Sequence, residues 1–231
     1  IESTIKAVLK NNDMESQLGF LFPPVDMRFE KPPTILASSR RNHIQLIDSL
    51  LLKHDINIFQ RNIIENKLLN DHNLSGFIDD LSGLGTYPTM VSDLYDLRTI
   101  LEVTAHEWLH CYFIFKPLGI SYRNSEEMTT INETIADIAG KELGKYAYDQ
   151  IRNNHIGFTN DVIPNDNHMD TNYTEFMYET RKNTDKMLAT GKVAQAENYM
   201  NARLWLLRLG GYNLRKLNQA YFAFRGIYAD S

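Results

Sequence analysis

The run His106-Glu107-Trp108-Leu109-His110 constrains this chain more than any other feature. Two histidines four residues apart act together only from a helix, where i and i+4 lie about 40° apart around the axis and share one face. The flanking residues predict that helix. Leu94, Leu97, Leu101, Ala105 and Trp108 recur at the helical period over residues 93–115, and Pro117 and Gly119 stand ready to stop it. At about 1.5 Å per residue such a helix is roughly 35 Å long, enough to run through the middle of a domain. Its paired imidazoles are spaced to reach one zinc ion at about 2.0–2.1 Å each. Glu107 lies beside them, where a carboxylate can take a proton from metal-bound water.

A catalytic zinc takes a third protein ligand, and 22 residues separate His110 from Glu133, within the run Asn132-Glu133-Thr134-Ile135-Ala136-Asp137. That run falls on a second predicted helix, capped by Ser125, with Glu126 and Glu127 in its first turn and Ile131, Ile135 and Ile138 expected as its buried stripe. Asp137 stands one turn beyond Glu133 on the same face. A metal-bound histidine donates its other ring N–H to a carboxylate or carbonyl, and Asp137 is placed to do this for His106. An extension of the first motif to HExxHxxGxxH fails, because Phe113 and Lys116 occupy those positions. Cys111, the single cysteine, is too close to His110 to be a third ligand and is expected to pack. His155 and His168, in an Asn-rich stretch over residues 152–172 that reads as a loop, stay as alternatives to Glu133. Carboxylates spaced like Glu133 and Asp137 are otherwise an ordinary solvated face.

HEWLH followed by NETIAD resembles the gluzincin metallopeptidases, the thermolysin-like group, whose signature is HExxH followed by NExxxD. The resemblance covers residues 106–110 and 132–137. It implies one Zn2+ held by His106, His110 and Glu133, a catalytic Glu107, Asp137 orienting the first histidine, and hydrolysis of peptide bonds in a peptide or protein substrate. The alternative is a zinc- or peptide-binding module that keeps the site without turning over substrate. The implied fold class is α+β: mostly helical, with a small N-terminal β-sheet packed on the HExxH helix, zincin-like. One domain over residues 1–231 is expected, strand-containing to about residue 120 and helical from about residue 121. The downstream Tyr or His that steadies the oxyanion in that group has no motif here. His155, His168, Tyr173 and Tyr178 lie in the right region and are expected to be structural or solvated.

The rest of the sequence bounds the problem. The 231 residues are 43% hydrophobic and 23% charged, an ordinary composition for a chain with a real core. A net charge of −5, with Arg40-Arg41 as the basic run, argues against nucleic acid. No apolar run reaches membrane-spanning length. The chain starts at Ile1 without an initiator Met, and this together with a protease-like motif leans toward a trimmed piece of an extracytoplasmic or membrane-tethered protein. Residues 2–18 read as a helix, 25–30 as a half-buried strand, 34–38 as a second strand, and 40–70 as helix broken near Asp55-Ile56-Asn57. The segment 74–91, with Gly76, Gly83, Gly85 and Pro88, reads either as a Gly-rich turn or as strands that let another backbone approach. Helices are expected at 173–190, 193–209 and 213–228. Arg203, Arg208 and Arg215 could meet a substrate carboxylate, and are expected instead on solvated or ion-paired faces.

Overall fold

A computed structural model of the chain describes residues 1–16, 18–122, 124–154 and 171–228. In order these form α1 (Glu2–Asn11), β1 (Met27–Phe29), β2 (Thr34–Arg40), β3 (Leu46–Leu52), α2 (Ile58–His72), β4 (Leu74–Asp80), β5 (Gly83–Leu84), β6 (Thr89–Val91), α3 (Leu97–Phe113), α4 (Pro117–Ile120), α5 (Glu126–Asn154), α6 (Thr171–Ala189), α7 (Val193–Leu209) and α8 (Gln219–Tyr228). The class is α+β, mainly helical with two small sheets. No helix among the described residues is long and apolar enough to cross a membrane. The described residues form two compact units, each assembled from segments far apart in sequence: those within 1–33, 80–154 and 227–228, and those within 34–79 and 171–226.

The first unit carries the HExxH helix. Asp96 caps α3, its carboxylate accepting from the Thr99 backbone N–H at 3.1 Å and hydroxyl at 2.7 Å. The helix therefore starts at Leu97, four residues later than the expected residue 93, and Leu94 lies before it, 80% exposed. Leu101, Ala105, Trp108 and Leu109 of α3 pack with Ile5 and Leu9 of α1 and with Ala136, Leu143 and Ala147 of α5. A sheet in the order β1-β6-β5 lies alongside, with β1 parallel and β5 antiparallel to β6. β1 is shorter than the alternation at 25–30 predicts, and Phe29 is 53% exposed, since the strand pairs with β6 alone. α1 ends at Asn11 instead of residue 18, because Asp13 turns into the left-handed region at φ 57°. Pro117, read as a stop, also opens the one-turn helix α4, where its missing N–H has no intrahelical role.

The Ser125 cap holds, its hydroxyl accepting from the Met128 N–H at 3.2 Å. The expected buried stripe of α5 does not. Ile131, Ile135 and Ile138 are 46%, 41% and 55% exposed, and the buried face is Asn132, Glu133, Ala136, Leu143 and Ala147. Close packing selects small residues here. A Cβ on Gly140 would stand 2.8 Å from His106 Cβ, and one on Gly144 would stand 2.5 Å from Glu102 Cα. Isoleucines on that face would hold α5 away from α3.

In the second unit β2 lies between β3 and β4, with Ile35 opposite Leu51 and Ala37 opposite Ser49. Residues 46–52, expected as helix, are thus a strand, because β2 offers an antiparallel partner, with one register shift between Ser38 and Ser39, that outweighs the local pattern. Helix α2 begins where the break was placed. Asn57 and Gln60 form a reciprocal capping box at 3.0 Å in each direction. Residues 74–91 are the three strands β4 to β6 and their turns, and α8 starts at Gln219, six residues later than expected.

Candidate metal centre

Helix α3 projects His106 and His110 from one face, and the small-residue face of α5 brings Glu133 against them. His106, Glu107 and His110 each present a ligand atom within 4.8 Å of the others. The Nε2 atoms of His106 and His110 are 3.0 Å apart. Glu133 Oε2 lies 3.7 Å from the first and 3.3 Å from the second. Oε2 is buried and accepts no hydrogen bond. Three atoms bound to one tetrahedral zinc at 2.0–2.1 Å would lie about 3.3 Å from one another. The observed separations of 3.0, 3.3 and 3.7 Å bracket that value. Lone pairs crowded this closely repel unless a proton or a cation lies among them, and an orphaned carboxylate oxygen in such a group is costly without one. The residues therefore fit a metal ion. An N,N,O set suits zinc and neighbouring first-row divalent ions.

The surroundings hold these groups in place. His110 Nδ1 contacts Asn132 Oδ1 at 3.2 Å, and Asn132 donates to the Leu118 carbonyl at 3.3 Å. The Tyr122 hydroxyl donates to Glu133 Oε1, which turns Oε2 toward the imidazoles. Asp137 pairs with Lys141 at 2.9 Å and acts on His106 through its charge, whereas the hydrogen bond that His106 draws from α5 involves the Ala136 backbone. Glu107 is pressed by β5. A Cβ on Gly83 would meet Glu107 Cγ at 2.7 Å, and one on Gly85 would meet Glu107 Oε2 at 3.4 Å. Gly83 and Gly85 thus leave room for the Glu107 side chain, where the sequence alone predicts either a turn or the approach of another backbone.

Burial dominates the electrostatics. It raises the Glu107 carboxyl to about 7, helped by the charge of Glu133 and opposed by His110. Burial and the charge of His110 lower His106 to about 4, against Glu133 and Asp137. His110 moves the other way: burial lowers it, but Glu133, Glu107 and Asn132 together leave it raised. For Glu133, burial is outweighed by the two imidazoles and the Tyr122 hydroxyl, and the carboxyl falls below its ordinary range.

Sequence reasoning missed Tyr122, Asn132 and Gly140. Asn132 stood inside the quoted motif without a role, Gly140 and Gly144 repeat at the helical interval after Ala136, and Tyr122 belongs to no pattern. His155 and His168 lie outside the described residues. Tyr173 places its hydroxyl 3.4 Å from that of Tyr221, and Tyr178 is 66% exposed. Cys111 is buried, its thiol toward the Thr86 carbonyl at 3.4 Å. Arg203 pairs with Glu179 and Arg215 with Glu65, and Arg208 bonds to the Leu214 and Arg215 carbonyls.

Comparison with protein-family models, curated proteins and solved structures finds no match. What the chain can do is therefore argued from this site. Gly140→Val tests how the site is held: the added methyls cannot fit against His106, so α5 must shift and carry Glu133 with it. Metal affinity is expected to fall about 10–100-fold, as for loss of a group that orients a ligand. Isothermal titration with zinc reads this, and unchanged affinity would show that the α3–α5 spacing does not set the site.

Proposed function

We propose that the chain is a zinc-dependent metallopeptidase of gluzincin type, with zinc held by His106, His110 and Glu133. The observation that carries this reading is the orphaned, buried Glu133 Oε2 facing two imidazole nitrogens, with the Glu107 carboxylate on the same helix. Zinc, when bound, polarises a carbonyl and lowers the pKa of its water toward about 7. Glu107, buried beside the two imidazoles, would accept a proton at a carboxylate oxygen and return it to a departing amine. Burial under β5 keeps bulk water from competing for that carboxylate. Asn132 fixes the ring of His110, and Tyr122 fixes the rotamer of Glu133. A peptide is favoured as substrate because β5 sits at the edge of its sheet, paired with β6 on one side, beside Glu107. An extended chain can add to such an edge through main-chain hydrogen bonds.

Glu107→Gln is the direct test. The amide keeps the shape of the slot and removes the base, so zinc content should stay stoichiometric while cleavage of a peptide library falls about 10²–10⁴-fold. Full activity in that variant would sink the mechanism. Zinc bound to the wild-type chain with no cleavage of any peptide would instead favour the binding module.

A further inference from the structure

Glu133 and His110 are both tied to one short stretch of chain, the first directly and the second through a single side chain. Between α3 and α5 that stretch runs through α4 to Tyr122. The Tyr122 hydroxyl donates to Glu133 Oε1. One residue before Glu133, Asn132 donates from Nδ2 to the Leu118 carbonyl at 3.3 Å and sets its Oδ1 3.2 Å from His110 Nδ1. The Tyr122 ring also stands edge-on to the His110 imidazole, with centroids 6.3 Å apart. A third bond, from the Thr129 hydroxyl to the Tyr122 carbonyl, ties the stretch to α5 one turn before Glu133. Its other anchorage is slight. Leu118 is partly buried against the core of the first unit, while Lys116, Pro117 and Ile120 are exposed. The backbone closes on itself: the Gly119 and Ile120 N–H groups bond to the Lys116 carbonyl at 3.1 and 3.0 Å, Ser121 to Pro117 at 3.0 Å, and Tyr122 to Gly119 at 3.1 Å. A single turn with so little buried apolar surface belongs to the part of a fold that opens first.

We propose that residues 117–122 form a metal-dependent element, closed against α5 when zinc is bound and loosened when it leaves. The inference rests on the zinc reading above and concerns the regulation of that same site. With zinc bound, the ring of His110 and the carboxylate of Glu133 are held in one arrangement, so the acceptor of the Tyr122 hydroxyl and the partner of Asn132 stay in place. Without it, the crowded lone pairs of His106, His110 and Glu133 favour moving apart, and the two bonds that hold the stretch lose their fixed partners. Coupling of this kind is reciprocal. If zinc slows opening of the stretch by some factor, then holding the stretch open weakens zinc by the same factor. Tyr122 is thus a positioning residue that acts on Glu133, Asn132 is one that acts on His110, and whatever opens 117–122 lowers the occupancy of the site.

Hydrogen exchange of the 231-residue chain, loaded with zinc and stripped by a chelator, tests it at the amides of Gly119 to Tyr122. Zinc is expected to slow their exchange about tenfold, within the usual range of coupling between sites, while the amides of α1 in the same unit change much less. Tyr122→Phe keeps the ring beside His110 and removes the donated hydrogen. It should weaken zinc about tenfold in a calorimetric titration and bring the effect of zinc on 117–122 below about twofold. Asn132→Ala, which breaks the other link, should act in the same direction. A hydroxyl that only held the stretch down would speed exchange equally with and without zinc, and an unchanged ratio in Tyr122→Phe would overturn the proposal. It also falls if zinc binds stoichiometrically and leaves exchange over 117–122 as it was, or slows α1 by the same factor, which would make the effect a stabilisation of the whole unit. A wild-type chain that takes up no zinc would remove the zinc reading itself, and this inference with it.

Discussion

Glu133→Ala is expected to lose nearly all bound zinc while the helices stay folded. The substitution leaves two imidazoles, one ligand short of a catalytic zinc site, and removes the negative charge that partly neutralises the ion. The loss should exceed by far the roughly 10–100-fold that follows removal of an orienting neighbour. Folding should survive, because α5 is held against α3 by Ala136, Gly140, Leu143, Gly144 and Ala147, and Glu133 contributes charge and no apolar packing. Asp137→Ala should do less, since its carboxylate is engaged by Lys141 and the Ala136 backbone also holds His106. Elemental analysis gives zinc per chain for each variant, and far-ultraviolet circular dichroism gives the helix content. Stoichiometric zinc in Glu133→Ala, with loss in His155→Ala or His168→Ala, would make the third ligand a histidine and remove the gluzincin reading.

The second large effect lies away from the metal centre, at Glu65. Its side chain is wholly buried. It accepts from the Ile78 N–H at 2.8 Å, from Lys216 at 2.8 Å and from Arg215 at 3.1 Å. Glu65→Ala leaves two cations and a backbone donor without their common acceptor. Breaking a buried pair costs about 3–5 kcal/mol. Because Arg215 and Lys216 keep 22% and 30% exposure and can be rehydrated, the lower end, about 3 kcal/mol, applies here. Hydrogen exchange across α2 and β4 measures this unit by itself, and a change under about 1 kcal/mol would show that the cluster is dispensable. The pH dependence has a definite sign. Burial raises the Glu65 carboxyl, but its two cations outweigh burial and leave it below its ordinary value of 4.5. Its stabilisation is complete above 4.5 and is lost as pH falls through the lower folded value, so acid should loosen the wild-type unit more steeply than the variant.

Both effects show how differently function and architecture were written in the chain. The paired imidazoles of the candidate metal site were legible because their placement is local: a helix period sets His106 beside His110, and Ser125 marks where the next helix begins. Glu65 was invisible, since a lone glutamate on α2 carries no sign that Arg215 and Lys216, 150 residues away, will meet it. β3 was misread for a related reason. Its apolar residues have no clean period, and pairing with β2 decided the conformation.

The stripe on α5 separates the two kinds of information most sharply. By itself the sequence determined that a helix begins next to Ser125, that α3 presents two imidazoles on one face, and that Glu133 stands at the right distance along the chain to join them. Local hydrogen bonding and side-chain periodicity suffice for that. Which face of α5 turns inward was decided by the tertiary structure alone. Isoleucines at 131, 135 and 138 would gain more from burial taken singly, but the closest approach to α3 is open only to Ala136, Gly140 and Gly144. The gain from bringing two backbones together, with Glu133 and Asn132 seated against the histidines, outweighs the apolar area left in water. That balance depends on the shape of the partner helix, which no single segment of the chain contains.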